Sequence, residues 1–69
     1  MQAANDNAVL ISVKETAKLT SMSRTMLNKY RAMGRFPAAV ELGEKRIAFV
    51  RAEVLAWISD KIEGRRLAA

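Results

Sequence analysis

Arg24, Lys29, Arg31 and Arg35 put four cations in one short run that holds no carboxylate, although the whole chain carries only +5 at pH 7. Thr25 and Asn28 stand among them. Side chains of these types recognise a partner rather than make or break bonds. A guanidinium presents a planar fork of donors, and an amide presents donors beside an acceptor. Both fit phosphate oxygens and the edges of bases. Met26, Leu27, Tyr30 and Met33 are threaded between the charges. At 100° per residue these four fall on one arc, and Arg24, Thr25, Asn28, Lys29, Arg31 and Ala32 fall on the other.

The rest of the composition narrows the chemistry. The 69 residues include no cysteine and no histidine. Disulfides, thiol catalysis and zinc fingers are therefore excluded, as is the commonest general base near neutral pH. The seven acidic residues are scattered, and no hydroxyl is paired with a base, so the sequence does not read as an enzyme. Neither a metal nor another cofactor is expected, and no small-molecule ligand. No run approaches the ~20 apolar residues of a membrane span. The start, MQAANDNAV, lacks the basic and apolar regions of a signal peptide. A cytoplasmic protein is the default expectation. The pI of about 10.3 points to an anionic partner, and the excess charge sits between residues 24 and 35, with a smaller contribution from residues 36–51.

Short elements must position these side chains. Residues 1–8 lack periodicity and read as a tail. Ser12, followed three places later by Glu15, forms a capping-box pattern that starts a first helix ending near Thr20–Ser21. Ser23 caps a second helix, with Ser21 as its rival, and Gly34 and Pro37 end it. From Val40 to Val50 the period changes to two, which predicts a hairpin turning at Gly43–Glu44 with a charged tip at Glu44, Lys45 and Arg46. A last helix is expected over 52–63, stopped by Gly64, with 64–69 as a flexible tail. Tyr30, Phe36, Phe49 and Trp57 read as core, and Met22, Met26 and Met33 as gap-fillers within it. The domain thus spans 9–63 and is mainly α with a small β-hairpin.

The first two helices have helix-turn-helix spacing. Ala17 is the small residue required where the helices cross. Ser21, four places on, stands where the turn favours positive φ, and the apolar residues Met22, Leu27 and Tyr30 follow in register. SVKETAKLTSMSRTMLNKY, followed by GRFPAAVELGEKRIAFVRAEVLAWI, resembles the AlpA family of prophage regulators and the related small excisionases. These are winged helix-turn-helix proteins similar to the DNA-binding half of MerR regulators. The match runs from Leu10 to Ile62 and departs from the family pattern at Ser21 and Arg51.

The resemblance implies a helix-turn-helix, a two-stranded wing and a C-terminal helix, binding double-stranded DNA for a mobile element. The second helix would enter the major groove. Arg24 would reach a guanine, Asn28 an adenine, and Thr25 a thymine methyl or a phosphate. Ser23, Lys29, Arg31 and Arg35 would hold phosphates, and the wing residues Gly43, Lys45 and Arg46 would approach an adjacent phosphate or the minor groove. Ser12 and Ser21, at or near helix starts, would offer backbone N–H groups in the same way. The expected role is that of an excisionase, a recombination directionality factor. It would bind direct repeats head-to-tail near an attachment site, bend the DNA and bias a tyrosine-type integrase toward excision in the bacterial nucleoid. Transcriptional regulation of prophage genes is the alternative, compatible with the first. An RNA-binding or protein-adaptor module fits less well, because Phe49 is the only aromatic residue on an expected strand.

Overall fold

The computed structural model describes residues 8–68. The elements run β1 (Leu10–Ile11), α1 (Val13–Thr20), α2 (Arg24–Ala32), β2 (Val40–Gly43), β3 (Arg46–Val50) and α3 (Arg51–Ala68). The expected helices and hairpin are present, compatible with a winged helix-turn-helix. The hairpin also gains a third strand. β1 pairs antiparallel with β3, giving the order β1-β3-β2. Two residues are too few to show period-two patterning, so β1 is not legible from local pattern. Ala8, assigned to a tail, is half-buried against the core. Residues 1–7 of that tail lie outside the described residues.

Local chemistry fixes the helix-turn-helix. Ser12 Oγ accepts from the Glu15 N–H at 3.0 Å, and Ser23 Oγ accepts from the Met26 N–H at 3.1 Å. Ser23 is thus the N-cap of α2, and its rival Ser21 ends α1 instead. Ser21 is left-handed, at φ 59° and ψ 31°. Its N–H donates to the Lys18 carbonyl, and the Met22 N–H donates to the Ala17 carbonyl. These paired bonds close the last turn. The same device ends α2: Gly34 takes φ 70°, the Gly34 N–H donates to Arg31 and the Arg35 N–H to Tyr30. The serine stands where glycine is cheapest, at a cost of order 1 kcal/mol.

The core is built on β3. Phe49, Leu27 and Val54 are fully buried, joined by Ile11 and Ala48. Both α1 and α3 pack on β3. Phe36 meets Phe49 edge-on at 5.4 Å and Trp57 at 4.9 Å, and Tyr30 lies 5.8 Å from Trp57. Phe49 is fully buried as expected, while Tyr30, Phe36 and Trp57 are half-buried. Thr16 is buried too, and its hydroxyl donates to the Ser12 carbonyl at 2.7 Å, which removes the penalty for an unpaired polar group.

Several expectations fail for physical reasons. Met26 and Met33 are exposed, whereas Met22 packs on the core. The narrow side of α2 needs only Leu27 to fill it. Leu55 and Ile62 on α3 are exposed as well. Leu42 is exposed because the register slips between Glu41 and Gly43, so that Gly43 rather than Leu42 faces Arg46. Ala48 is buried although it alternates with Ile47 and Phe49, because β3 is the central strand.

The last helix departs furthest. It runs past Gly64 to Ala68, so residues 64–68 are not a tail. Gly64 lacks the positive φ of a helix-ending glycine, and the strong helix formers flanking it outweigh its cost of about 1 kcal/mol. Arg51 is a poor cap by side chain. Here its N–H donates to the Val9 carbonyl at 2.8 Å, so the chain preceding β1 satisfies the start of α3.

Two stability predictions follow from the backbone. A Cβ at Gly64 meets nothing within 4 Å, so Gly64→Ala should raise unfolding free energy by about 0.5–1 kcal/mol and increase helical circular dichroism. A helix that ended at residue 63 would show neither gain. Ser21→Gly should stabilise by up to about 1 kcal/mol in urea unfolding.

Candidate nucleic-acid interface

The start of α1, the exposed side of α2 and the tip of the β2–β3 hairpin converge on an open cleft of about 410 Å³. Lys14, Arg24, Arg31, Lys45 and Arg46 line it, with Asn28 among them and Val13 and Ile47 as apolar lining. The lining includes no carboxylate. A concave surface carrying cations of one sign focuses positive potential and favours an anion.

The element that carries each side chain sets how the cations of α2 and the hairpin reach the cleft. Arg24 is the first residue of α2, set by the Ser23 cap, and Asn28 and Arg31 follow one and two turns later on the same side. Arg31 is half-buried. Its guanidinium lies 5.6 Å from the centre of the Phe49 ring, and its Nη1 donates to Asn28 Oδ1 at 3.1 Å. Lys45 and Arg46 come from the hairpin. The turn is Glu44–Lys45, one residue later than the sequence implied. Lys45, not Gly43, adopts the left-handed conformation, at φ 58°. Gly43 instead ends β2.

The structure thus gathers Arg24, Asn28, Arg31, Lys45 and Arg46, with Ser12 also in the lining, and leaves the remaining expected site residues outside the cleft. Thr25 and Lys29 are exposed on α2 but do not line it. Ser23 is exposed and engaged as a cap. Gly43 contributes backbone at the edge of the hairpin. Arg35 lies elsewhere, in a second open cleft with Glu53, Trp57 and Asp60. There the Trp57 indole N–H donates to the Arg35 carbonyl at 2.8 Å and ties the segment after α2 to α3.

Lys14 was missed. On α1 alone it belongs to the solvated face with Glu15 and Lys18, and only the approach of the hairpin to the start of α1 brings it into the cleft. The one available signal was its position, two residues after the Ser12 cap.

A family model described as prophage CP4-57 regulatory protein (AlpA) matches residues 10–62. The chain belongs to the AlpA family of prophage regulatory proteins. The matched segment runs from β1 into α3 and contains every residue of the basic cleft. The chain is also 36% identical over 56 residues to the uncharacterized protein ORF88 of Enterobacteria phage P4. That overlap covers 81% of this chain and 64% of the relative, so the chain spans just under two thirds of the relative's length. No solved structure matches the chain. Among the described residues, no helix is long and apolar enough to cross a membrane, and no group of acidic, histidine or cysteine residues could hold a metal.

The hairpin geometry has a measurable consequence. Lys45→Gly should raise unfolding free energy by about 0.5–1 kcal/mol by removing left-handed strain. Lys45→Ala, which keeps a Cβ, should not. Urea unfolding of both variants checks this.

Proposed function

We propose that this chain binds duplex DNA in a sequence-dependent manner and acts as an excisionase, a directionality factor that turns a tyrosine-type integrase toward excision. The observation that carries the reading is the carboxylate-free cleft between α2 and the wing. With α2 in the major groove, the sugar–phosphate strand bordering that groove runs along the cleft. Lys14, Lys45 and Arg46 then neutralise phosphates, while Arg24 meets the O6 and N7 atoms of a guanine. Thr25 lies beside Arg24 for a thymine methyl or a phosphate. Lys29 and Arg35 bind phosphates beyond the cleft.

A single small domain reads few base pairs. Side-by-side copies on direct repeats supply the remaining affinity and bend the DNA that integrase must bridge. Head-to-tail contacts of this kind do not close on themselves. The site of action is the bacterial nucleoid. Control of transcription by the same contacts is the second reading, favoured by the regulatory description of the family.

Quantitative binding and footprinting on DNA from the flanks of the element test the proposal. Arg24→Ala should cost about 1–3 kcal/mol at the cognate site and relax preference at one base pair. Lys29→Ala should weaken all duplexes alike and reduce the salt slope by roughly one. Equal loss on cognate and random DNA for Arg24→Ala would refute the base contact. Protection of a single symmetric palindrome by a fixed dimer would refute the repeat arrangement. An in vitro excision assay beside a promoter reporter separates the two roles.

A further inference from the structure

Arg31 is the cation of the cleft whose guanidinium is already committed within the protein. It lies over the face of a fully buried phenylalanine, it is half-buried, and one of its N–H groups is given to Asn28 Oδ1 at 3.1 Å. A side chain whose job is to follow a phosphate keeps its donors free. This one is held by a cation–π contact with the Phe49 ring and by an amide at its edge. With Oδ1 turned to Arg31, the Asn28 NH2 points away from it.

We infer that Arg31 is a positioning residue, which locks the Asn28 amide so that Asn28 reads guanine rather than adenine. This rests on the duplex-binding reading above. Reading adenine in the major groove needs both ends of the amide: Nδ2 donates to N7 while Oδ1 accepts from the N6 amino group. In this chain Oδ1 already accepts from Arg31, so the adenine amino group would have to share that oxygen through its remaining lone pair. Guanine presents two acceptors side by side, O6 and N7, and matches an outward NH2. Arg31 therefore acts through Asn28, and its positive charge is secondary to its planar geometry.

Selection of bound duplexes from a randomised pool, followed by affinity measurements on single base-pair variants, provides the test. Wild-type protein should prefer guanine at the Asn28 position by ~10-fold or more over adenine, within the range for a well-placed amide contact. Replacing that guanine by 7-deazaguanine should lower affinity.

Arg31→Lys keeps the charge and loses the planar fork, and Arg31→Met keeps a stem over Phe49 and loses the donors. Both should reduce the preference at that one position to about two-fold or reverse it toward adenine. Preferences elsewhere and the salt slope should hold, and the change should vanish in an Asn28→Ala background. Thermal unfolding of each variant confirms that it is folded. Should Arg31→Met not fold, Arg31→Lys alone carries the comparison.

A uniform loss on every duplex in Arg31→Met, with a salt slope lower by about 0.9 and rescue by lysine, would mark a phosphate contact and overturn the inference. So would unchanged preference in both variants, or adenine selected by the wild type. Absence of duplex binding, or binding without any sequence preference in the wild type, would instead overturn the sequence-dependent DNA-binding reading itself, a result separable from the others because it precedes any substitution.

Discussion

The Phe49 ring is fully buried at the centre of the molecule, and almost every long-range feature touches it or the strand that carries it. Phe36 meets its edge and links it to Trp57. Leu27 and Val54 join the same cluster from α2 and α3. The Arg31 guanidinium covers its face on the side toward the cleft. Burying an aromatic ring of this size contributes about 1.5–3 kcal/mol, a large share for a domain too short to bury a second core. The ring therefore has to be central, and β3 with it. β1 and β2 take the two edges, and α1 and α3 cover the strand.

That constraint reaches the recognition surface through backbone geometry. Fixing β3 fixes the hairpin tip, so Lys45 and Arg46 arrive beside the start of α1 and the exposed side of α2. The left-handed Lys45 and the slip between Glu41 and Gly43 are where the hairpin absorbs the mismatch between its turn and the strand register. Glycine in place of Lys45 would relieve the strain at the loss of a cation in the cleft. Basic character and backbone ease compete at that position, and here the lysine is present.

No carboxylate lines this cleft, although Glu44 stands in the turn beside Lys45 and Glu15 beside Lys14 on α1. Glu53 and Asp60 line the second cleft, with Trp57 and the segment after α2. The molecule thus has a basic cleft without acids and a mixed one with two of them. Such an arrangement orients a protein in the field of a polyanion before contact. It also explains how a chain of modest net charge can present a strongly one-signed surface.

Much of this was legible in the residues. Capping at Ser12 and Ser23, the left-handed closure at Ser21, the Gly34 stop and the two-sided charge of α2 depend on neighbours three to five positions away. That is the range over which helix hydrogen bonds act. Arg24 and Asn28 could be named for the same reason, since they lie one turn apart on one helix. Tertiary structure alone decided the rest. Strand β1 exists only because β3 offers it an edge, and Arg51 needs no side-chain cap only because the Val9 carbonyl is at hand. Lys14 joins the cleft and Arg35 leaves it because of how the hairpin and α3 pack, which no local pattern encodes. Arg31 looked like one more surface charge; its seat over Phe49, eighteen positions along the chain, gives it a different environment, because burial of a ring is a property of the whole core.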